Sequence, residues 1–314
     1  MRISDMKKFV CKWILFIVCM LVVDYAFGIL FDYLRNHAKG GPTLNDTYVS
    51  KNCDADILVL GSSRAAHHYD PDILDSIGGK AFNGGMDGMG IVLGLGRYLL
   101  CAEKHVPKVV IYEITPEFDY MVYGNNPSKY LHYLRPYYKN ASIKAIFDRL
   151  ESRFEQLKMV SNIYCNNSKL LANIGDFIIK RENVRGFYPQ TGTMNIVPKF
   201  NNNSFESIEL DSLKLGLMQS LISETSRFGS KLYFAISPRY FEKRPSMILS
   251  MYLPALELAK ENGIPVLDNM FIPNLSDNPQ MFTDYVHMNY KGSKVYSHMV
   301  KNRIYSDCPN LVCK

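Results

Sequence analysis

Ile57-Leu58-Val59-Leu60-Gly61-Ser62-Ser63-Arg64-Ala65-Ala66-His67 is the stretch on which the fold turns. Four apolar residues rich in β-formers read as a short buried strand. Gly61 permits a tight turn, and Ser63-Arg64-Ala65-Ala66 can open a helix with serine as a good cap. A serine at a strand-to-helix turn has its hydroxyl lifted above the sheet edge, and the N–H groups of the new helix face any anion formed there. Such a place suits a nucleophile, but on this stretch alone a structural cap is the favoured reading.

Outward from this stretch, strands and helices alternate. Residues 108–112 (Lys-Val-Val-Ile-Tyr) give a second strand. A helix over 207–228 carries Leu213, Leu217, Leu221 and Ile222 at helical spacing and stops at Gly229. Strand 231–238, ending in a turn, helix 246–261 and strand 264–268 follow. The alternation predicts an α/β fold: a three-layer sandwich with a mostly parallel sheet. Ligands in such sheets sit at the carboxyl ends of strands, and Ser63 falls at one.

Two further blocks carry chemistry. Thr283-Asp284-Tyr285-Val286-His287-Met288-Asn289 places an Asp three residues before a His, so a single loop can supply a base and the carboxylate that orients it. Ala81-Phe82-Asn83-Gly84-Gly85-Met86-Asp87-Gly88 follows the first helix; alone it reads as a flexible turn. In this order, Gly-x-Ser, Asn-x-Gly-x-x-Gly and Asp-x-x-His, the chain resembles the GDSL/SGNH hydrolase family over roughly 52–120 and 205–305. The resemblance implies a flavodoxin-like sheet, Ser63 as nucleophile, His287 as base and Asp284 as its partner. It also implies that the N–H groups of Ser63 and Gly85 hold the oxyanion. Ser62 occupies the Asp position of the Gly-Asp-Ser motif and is the less favoured nucleophile. The family's Gly-x-Asn-Asp block, whose Asn is a third oxyanion donor, is absent: the second strand runs into Glu113-Ile114-Thr115-Pro116-Glu117. One lost donor typically costs on the order of 3 kcal/mol in the barrier.

Before the domain, residues 1–12 are basic and 13–31 are apolar apart from Asp24, just long enough to cross a bilayer core. An uncleaved transmembrane anchor is the expectation, ahead of a cleaved signal peptide or a buried helix. Four cations before the span against Arg35 and Lys39 after it put the N-terminus in the cytoplasm and the domain outside the cytoplasmic membrane. Asp24 marks either a helix–helix contact or the outer interface. Residues 32–51, with Gly40-Gly41-Pro42, read as a linker, and 52–314 as the SGNH-like domain. Residues 118–205 read as a partly helical insertion or lid, in which Tyr130, Tyr133, Tyr137 and Tyr138 are core side chains or a platform for sugar rings.

A net charge of +6 without a long basic run gives no nucleic-acid footprint. No glycine-rich phosphate loop or dinucleotide fingerprint is present, so no cofactor is expected. His67-His68 lacks a partner pattern for metal, and the seven cysteines contain no Cys-x-x-Cys; Cys308 and Cys313 are close enough in sequence to form a small loop in an oxidising compartment. By resemblance to anchored family members, the expected activity is that of a serine esterase or O-acyltransferase. Its substrate would be the acyl esters of a cell-envelope polysaccharide or an acylated small molecule, handled beside a membrane acyltransferase partner. The alternative is a catalytically inactive polymer-binding or assembly subunit.

Overall fold

The computed structural model describes residues 3–75, 78–122, 127–180, 185–194, 209–241 and 246–308. Five parallel strands form one sheet: β1 (Ile57–Gly61), β2 (Ala81–Asn83), β3 (Val109–Glu113), β4 (Lys231–Ile236) and β5 (Val266–Asp268), in the order β2-β1-β3-β4-β5. The helices are α1 (Ile3–Asn36), α2 (Gly41–Thr47), α3 (Ser63–His68), α4 (Pro71–Leu74), α5 (Ile91–Ala102) and α6 (Pro116–Asp119). They continue with α7 (Ala141–Leu150), α8 (Arg153–Leu157), α9 (Asn162–Asn166), α10 (Leu170–Ile178), α11 (Ser212–Phe228), α12 (Ser246–Glu261) and α13 (Tyr290–Asp307).

Alternation along each strand builds two cores. Leu58, Leu60, Val110, Tyr112, Leu232, Phe234 and Ile236 face α5, α11 and α12. Ile57, Val59, Val109, Ile111, Tyr233 and Ala235 face α3, α4 and α13. A strand whose successive side chains are all buried must be covered on both faces, which is why these strands read as unbroken apolar runs. The α/β sandwich expected from the alternation is the observed fold, with the flavodoxin-like order. The strand order reverses between β1 and β3, so their carboxyl ends open a crevice. Ser63 follows β1 at this crevice, and Thr115 follows β3.

Three features go beyond the pattern. β2 is only three residues long, paired in register Ile57↔Ala81 and Leu58↔Phe82. Within 32–51, expected as a linker, the chain instead forms the end of α1, α2 and a wider helical turn (Tyr48–Asn52), with Thr43, Asn45, Thr47, Val49 and Ser50 buried. The Gly-Pro that reads as a turn instead starts a helix, because Pro is preformed for a first helical turn. A disulfide joins Cys53, just before β1, to Cys101 in α5. The suggested Cys308–Cys313 loop ends outside the described residues.

The insertion is helical from 127 to 178 wherever it has regular structure. Tyr130 is buried and Tyr133, Tyr137 and Tyr138 are partly buried, all packed on the core that lies under α5. These aromatics are core side chains. The sugar platform offered as their other reading has no support.

Candidate active site

The turn after β1 needs its glycine. Gly61 has φ +135°, where side-chain-bearing residues are strained, and a Cβ there would lie 2.6 Å from the Glu113 carbonyl oxygen on the neighbouring strand. The chain then diverges at two adjacent serines. Ser62 stands at the N-cap position of α3 without a side-chain cap bond; its side chain is buried, with Oγ 2.7 Å from Thr115 Oγ1 just beyond β3. Ser63, the first residue of α3, is half-buried, and its Oγ lies 2.7 Å from His287 Nε2.

The partner loop is short and internally braced. Asp284 Oδ1 accepts the N–H groups of Val286 at 2.7 Å and His287 at 2.8 Å, which fixes the carboxylate. Its Oδ2 lies 2.9 Å from His287 Nδ1. Partial burial raises the Asp284 pKa, but the hydrogen bonds from His287 and the two backbone N–H groups outweigh it, leaving the carboxyl at about 2. An ionised acceptor at Nδ1 selects the tautomer with the proton on that nitrogen, so Nε2 faces Ser63 as an acceptor. Residues 224 positions apart in sequence are thereby brought into one line, Asp284–His287–Ser63.

Behind α3 lies a buried polar network. Glu113, at the end of β3, is fully buried and faces Arg64 with an N–O distance of 3.3 Å. It accepts the Tyr69 hydroxyl at 2.5 Å, and the N–H and hydroxyl of Ser237 at 3.0 and 2.7 Å. Arg64 also donates to the Ile114 carbonyl. His68 bridges this network to the His287 loop: Met288 N–H donates to its Nε2 at 3.0 Å, and its Nδ1 lies 2.8 Å from Ser237 Oγ. At 2% exposed, Arg64 is a structural partner of Glu113, the reading its sequence favours over steering an anion. The buried network occupies the strand end where the family's Asn block would stand, and it anchors both the serine helix and the histidine loop.

Gly85 meets its helix closely. A Cβ on it would overlap the backbone of Ala65 and Ala66, so only glycine lets this loop reach the first turn of α3. Its N–H donates to Asn83 Oδ1 at 2.9 Å, while Asn83 Nδ2 donates to the carbonyls of Ala65 and Tyr69 at 2.7 and 2.9 Å. The asparagine thus ties its loop to α3 at several points. Oxyanion binding by Gly85 requires that its N–H be shared with, or released from, Asn83.

A second histidine, unassigned by sequence, stands beside the first. His67 is buried, its Nδ1 donates to the Tyr188 carbonyl at 2.7 Å, and its Nε2 lies 3.0 Å from Asp87 Oδ1. Its ring is edge-on to that of His287, with centroids 5.7 Å apart. Burial lowers the His67 pKa, but bonds to Asp87 and Tyr188 raise it further, and the net direction is upward. The only sequence signal was Asp87 within the Asn-Gly-Gly block. Partnership with a histidine 20 residues earlier becomes visible only once β2 is paired with β1.

With its hydroxyl held at an imidazole and that imidazole held at a carboxylate, Ser63 can lose its proton to His287 while attacking an acyl carbon. Among the described residues, no group of three His, Cys, Asp or Glu side chains forms a metal site.

No family model and no curated protein matches the chain. Solved structures do. A putative acylhydrolase from Bacteroides fragilis is similar at 12% identity, over 80% of this chain and 86% of that one, with a TM-score of 0.37. A GDSL-like lipase from Bacteroides thetaiotaomicron is similar at 12% identity, over 80% and 88%, with a TM-score of 0.37. An active-site mutant of a family two carbohydrate esterase from Clostridium thermocellum is similar at 10%, over 82% and 65%, with a TM-score of 0.41. With so few residues shared, function has to be read from the side chains.

Proposed function

We propose that this chain is a serine esterase or O-acyltransferase of the GDSL/SGNH kind, with Ser63 as nucleophile, His287 as general base and Asp284 as the carboxylate that orients it. The observation that carries this reading is the unbroken line from Asp284 Oδ2 through His287 to Ser63 Oγ, at 2.9 and 2.7 Å. Ser63 Oγ adds to the acyl carbonyl and His287 takes its proton. His287 then returns that proton to the departing alcohol, leaving an acyl-serine. Water or an acceptor hydroxyl, deprotonated by His287, releases the acyl group. The Ser63 N–H supports the oxyanion, joined by Gly85 when its N–H turns from Asn83.

We infer that the enzyme is anchored by α1 and faces the outside of the cytoplasmic membrane. α1 carries a window of mean hydropathy 2.6 with almost no burial against the rest of the chain. The buried Cys53–Cys101 disulfide supports an oxidising compartment. Acyl esters of a cell-envelope polysaccharide remain the proposed substrate class by family resemblance, with a membrane acyltransferase as a proposed partner. The alternative of an inactive binding subunit draws on one observation, the Gly85 N–H already bonded to Asn83.

The test is labelling of the full chain in detergent by a fluorophosphonate, comparing wild type with Ser63→Ala and Ser62→Ala. Loss of label in Ser63→Ala alone is expected. No label in folded wild type overturns the enzyme reading in favour of the binding subunit.

A further inference from the structure

The insertion carries its polarity the wrong way round for a domain surrounded by water. In α10, Asn173 and Asp176 are 3% and 1% exposed, while Leu171, Ile174 and Ile178 are 83%, 37% and 64% exposed. The three apolar residues stand at i, i+3 and i+7 and so share one helix face. The buried polar pair accepts hydrogen bonds from the segment after α1: the Thr43 N–H donates to Asp176 Oδ2 and the Thr43 hydroxyl to Asn173 Oδ1, each at 3.1 Å, while the buried Asn173 Nδ2 makes no hydrogen bond. α8 and the turn after it add Phe154, Leu157 and Val160, exposed by 71%, 69% and 80%. Apolar exposure on this scale marks a surface that is covered in use.

What covers it is set by the neighbouring helix. α9 and α10 pack directly on α1. Asp24 of α1 accepts the Ser161 hydroxyl at 2.6 Å and the N–H groups of Asn162 and Ile163 at 2.9 and 3.0 Å. Gly28 lets Asn162 approach so closely that a Cβ would lie 2.9 Å from its side chain. Further along, Arg35 donates to Asn166 at 3.0 Å and the Tyr33 ring stands 5.9 Å from that of Phe177. A hydrocarbon core of about 30 Å takes roughly 20 helical residues. Whether its inner boundary is Phe9 or Trp13, Asp24 and Gly28 then lie at the level of the outer leaflet. The start of α9 lies there with them, continuous with the apolar flank of α1. Exposed Arg153 and Lys180 and half-buried Lys158 lie in and beside these helices, as headgroup contact favours.

We propose that α8, α9 and α10 form a second membrane contact, with their outward apolar face lying in the outer leaflet beside α1 and seating the domain on the lipid. This rests on the reading of α1 as a membrane span. Asp24 is then tolerated at that depth because the start of α9 supplies its hydrogen bonds.

The sole tryptophan, Trp13, gives a clean assay. The full chain is reconstituted in phosphatidylcholine vesicles with and without brominated acyl chains. Wild type reports on Trp13. In a Trp13→Phe background, Leu171→Trp and Leu157→Trp report on the insertion, and Tyr305→Trp reports on exposed α13 at the other face of the sheet. The expected result is quenching by brominated lipid and blue-shifted emission for Trp13, Leu171→Trp and Leu157→Trp, with Tyr305→Trp unquenched. Trp13 quenched with both insertion reporters unquenched overturns the proposal and leaves the anchor standing. Blue-shifted but unquenched insertion reporters also overturn it, since a protein then covers the face. Trp13 unquenched overturns the span reading and this proposal with it.

Discussion

Asp284→Asn is the exchange that most directly tests the site, because the structure dictates which way round the amide must sit. Asp284 Oδ1 accepts two backbone N–H groups and Oδ2 faces His287 Nδ1. Placing the amide NH2 toward Val286 and His287 would lose both backbone bonds, worth about 1 kcal/mol each. The amide oxygen therefore stays on the backbone and the NH2 points at Nδ1. Nδ1 must then be an acceptor, so the imidazole carries its proton on Nε2, facing Ser63, and cannot take the serine proton. The same exchange in Ser-His-Asp enzymes costs on the order of 10⁴ in rate, equal to about 5 kcal/mol of barrier. Fold stability should change by less than about 1 kcal/mol, since the side chain is half-exposed and keeps its backbone bonds. The assay is the second-order rate of fluorophosphonate labelling of the full chain in detergent, beside its thermal unfolding. ¹⁵N chemical shifts of the His287 ring report the tautomer. Labelling within tenfold of wild type in a folded variant, or an unchanged tautomer, refutes the assignment of Asp284.

The Cys53–Cys101 bond closes a separation of 48 residues, which in the chain-entropy model stabilises by about 4 kcal/mol; Cys53→Ser with Cys101→Ser, or dithiothreitol on wild type, should lower the unfolding temperature, and no change would refute the bond's structural role. Burial lifts the Asp119 carboxyl from 3.8 to about 7 despite its bonds to Tyr112 and Thr115. Because the folded value is raised, the native state holds a proton the unfolded chain releases, so this contribution is complete below 3.8 and is lost as pH rises toward about 7. Unfolding of Asp119→Asn should depend less steeply on pH across that interval, and parallel curves would refute it. In Asp87→Asn, burial of His67 is no longer opposed by the carboxylate, so its pKa should fall below its wild-type position in a ring-proton NMR titration. An unmoved titration would show that the Tyr188 carbonyl alone holds the proton.

What was legible in the sequence was whatever depends on near neighbours. β1, β3 and β4 announced themselves because strands covered on both faces are apolar at every position. The Asp284–His287 pair was legible because both side chains and both bracing N–H groups belong to one four-residue loop. Ser63 could be preferred over Ser62 only by resemblance. The physical distinction, one hydroxyl turned to Thr115 and the other to His287, depends on residues more than 50 positions away. What pattern reading missed shares a single cause. It takes polar residues as wet and apolar residues as dry. α2 buries Thr43, Asn45 and Thr47 because Asn173, Asp176, Tyr188 and the Arg35 carbonyl satisfy them, so a buried helix read as a linker. His67 and Glu113 likewise sit buried on partners supplied by other loops and strands. α10 inverts the rule on its other side, with Leu171 and Ile178 outward against whatever replaces water there. The two failures meet in one place, since the polar groups α10 buries accept hydrogen bonds from α2. A helix that spends its polar side chains on its own protein has only apolar ones left to show, and only lipid or another protein makes such a surface stable.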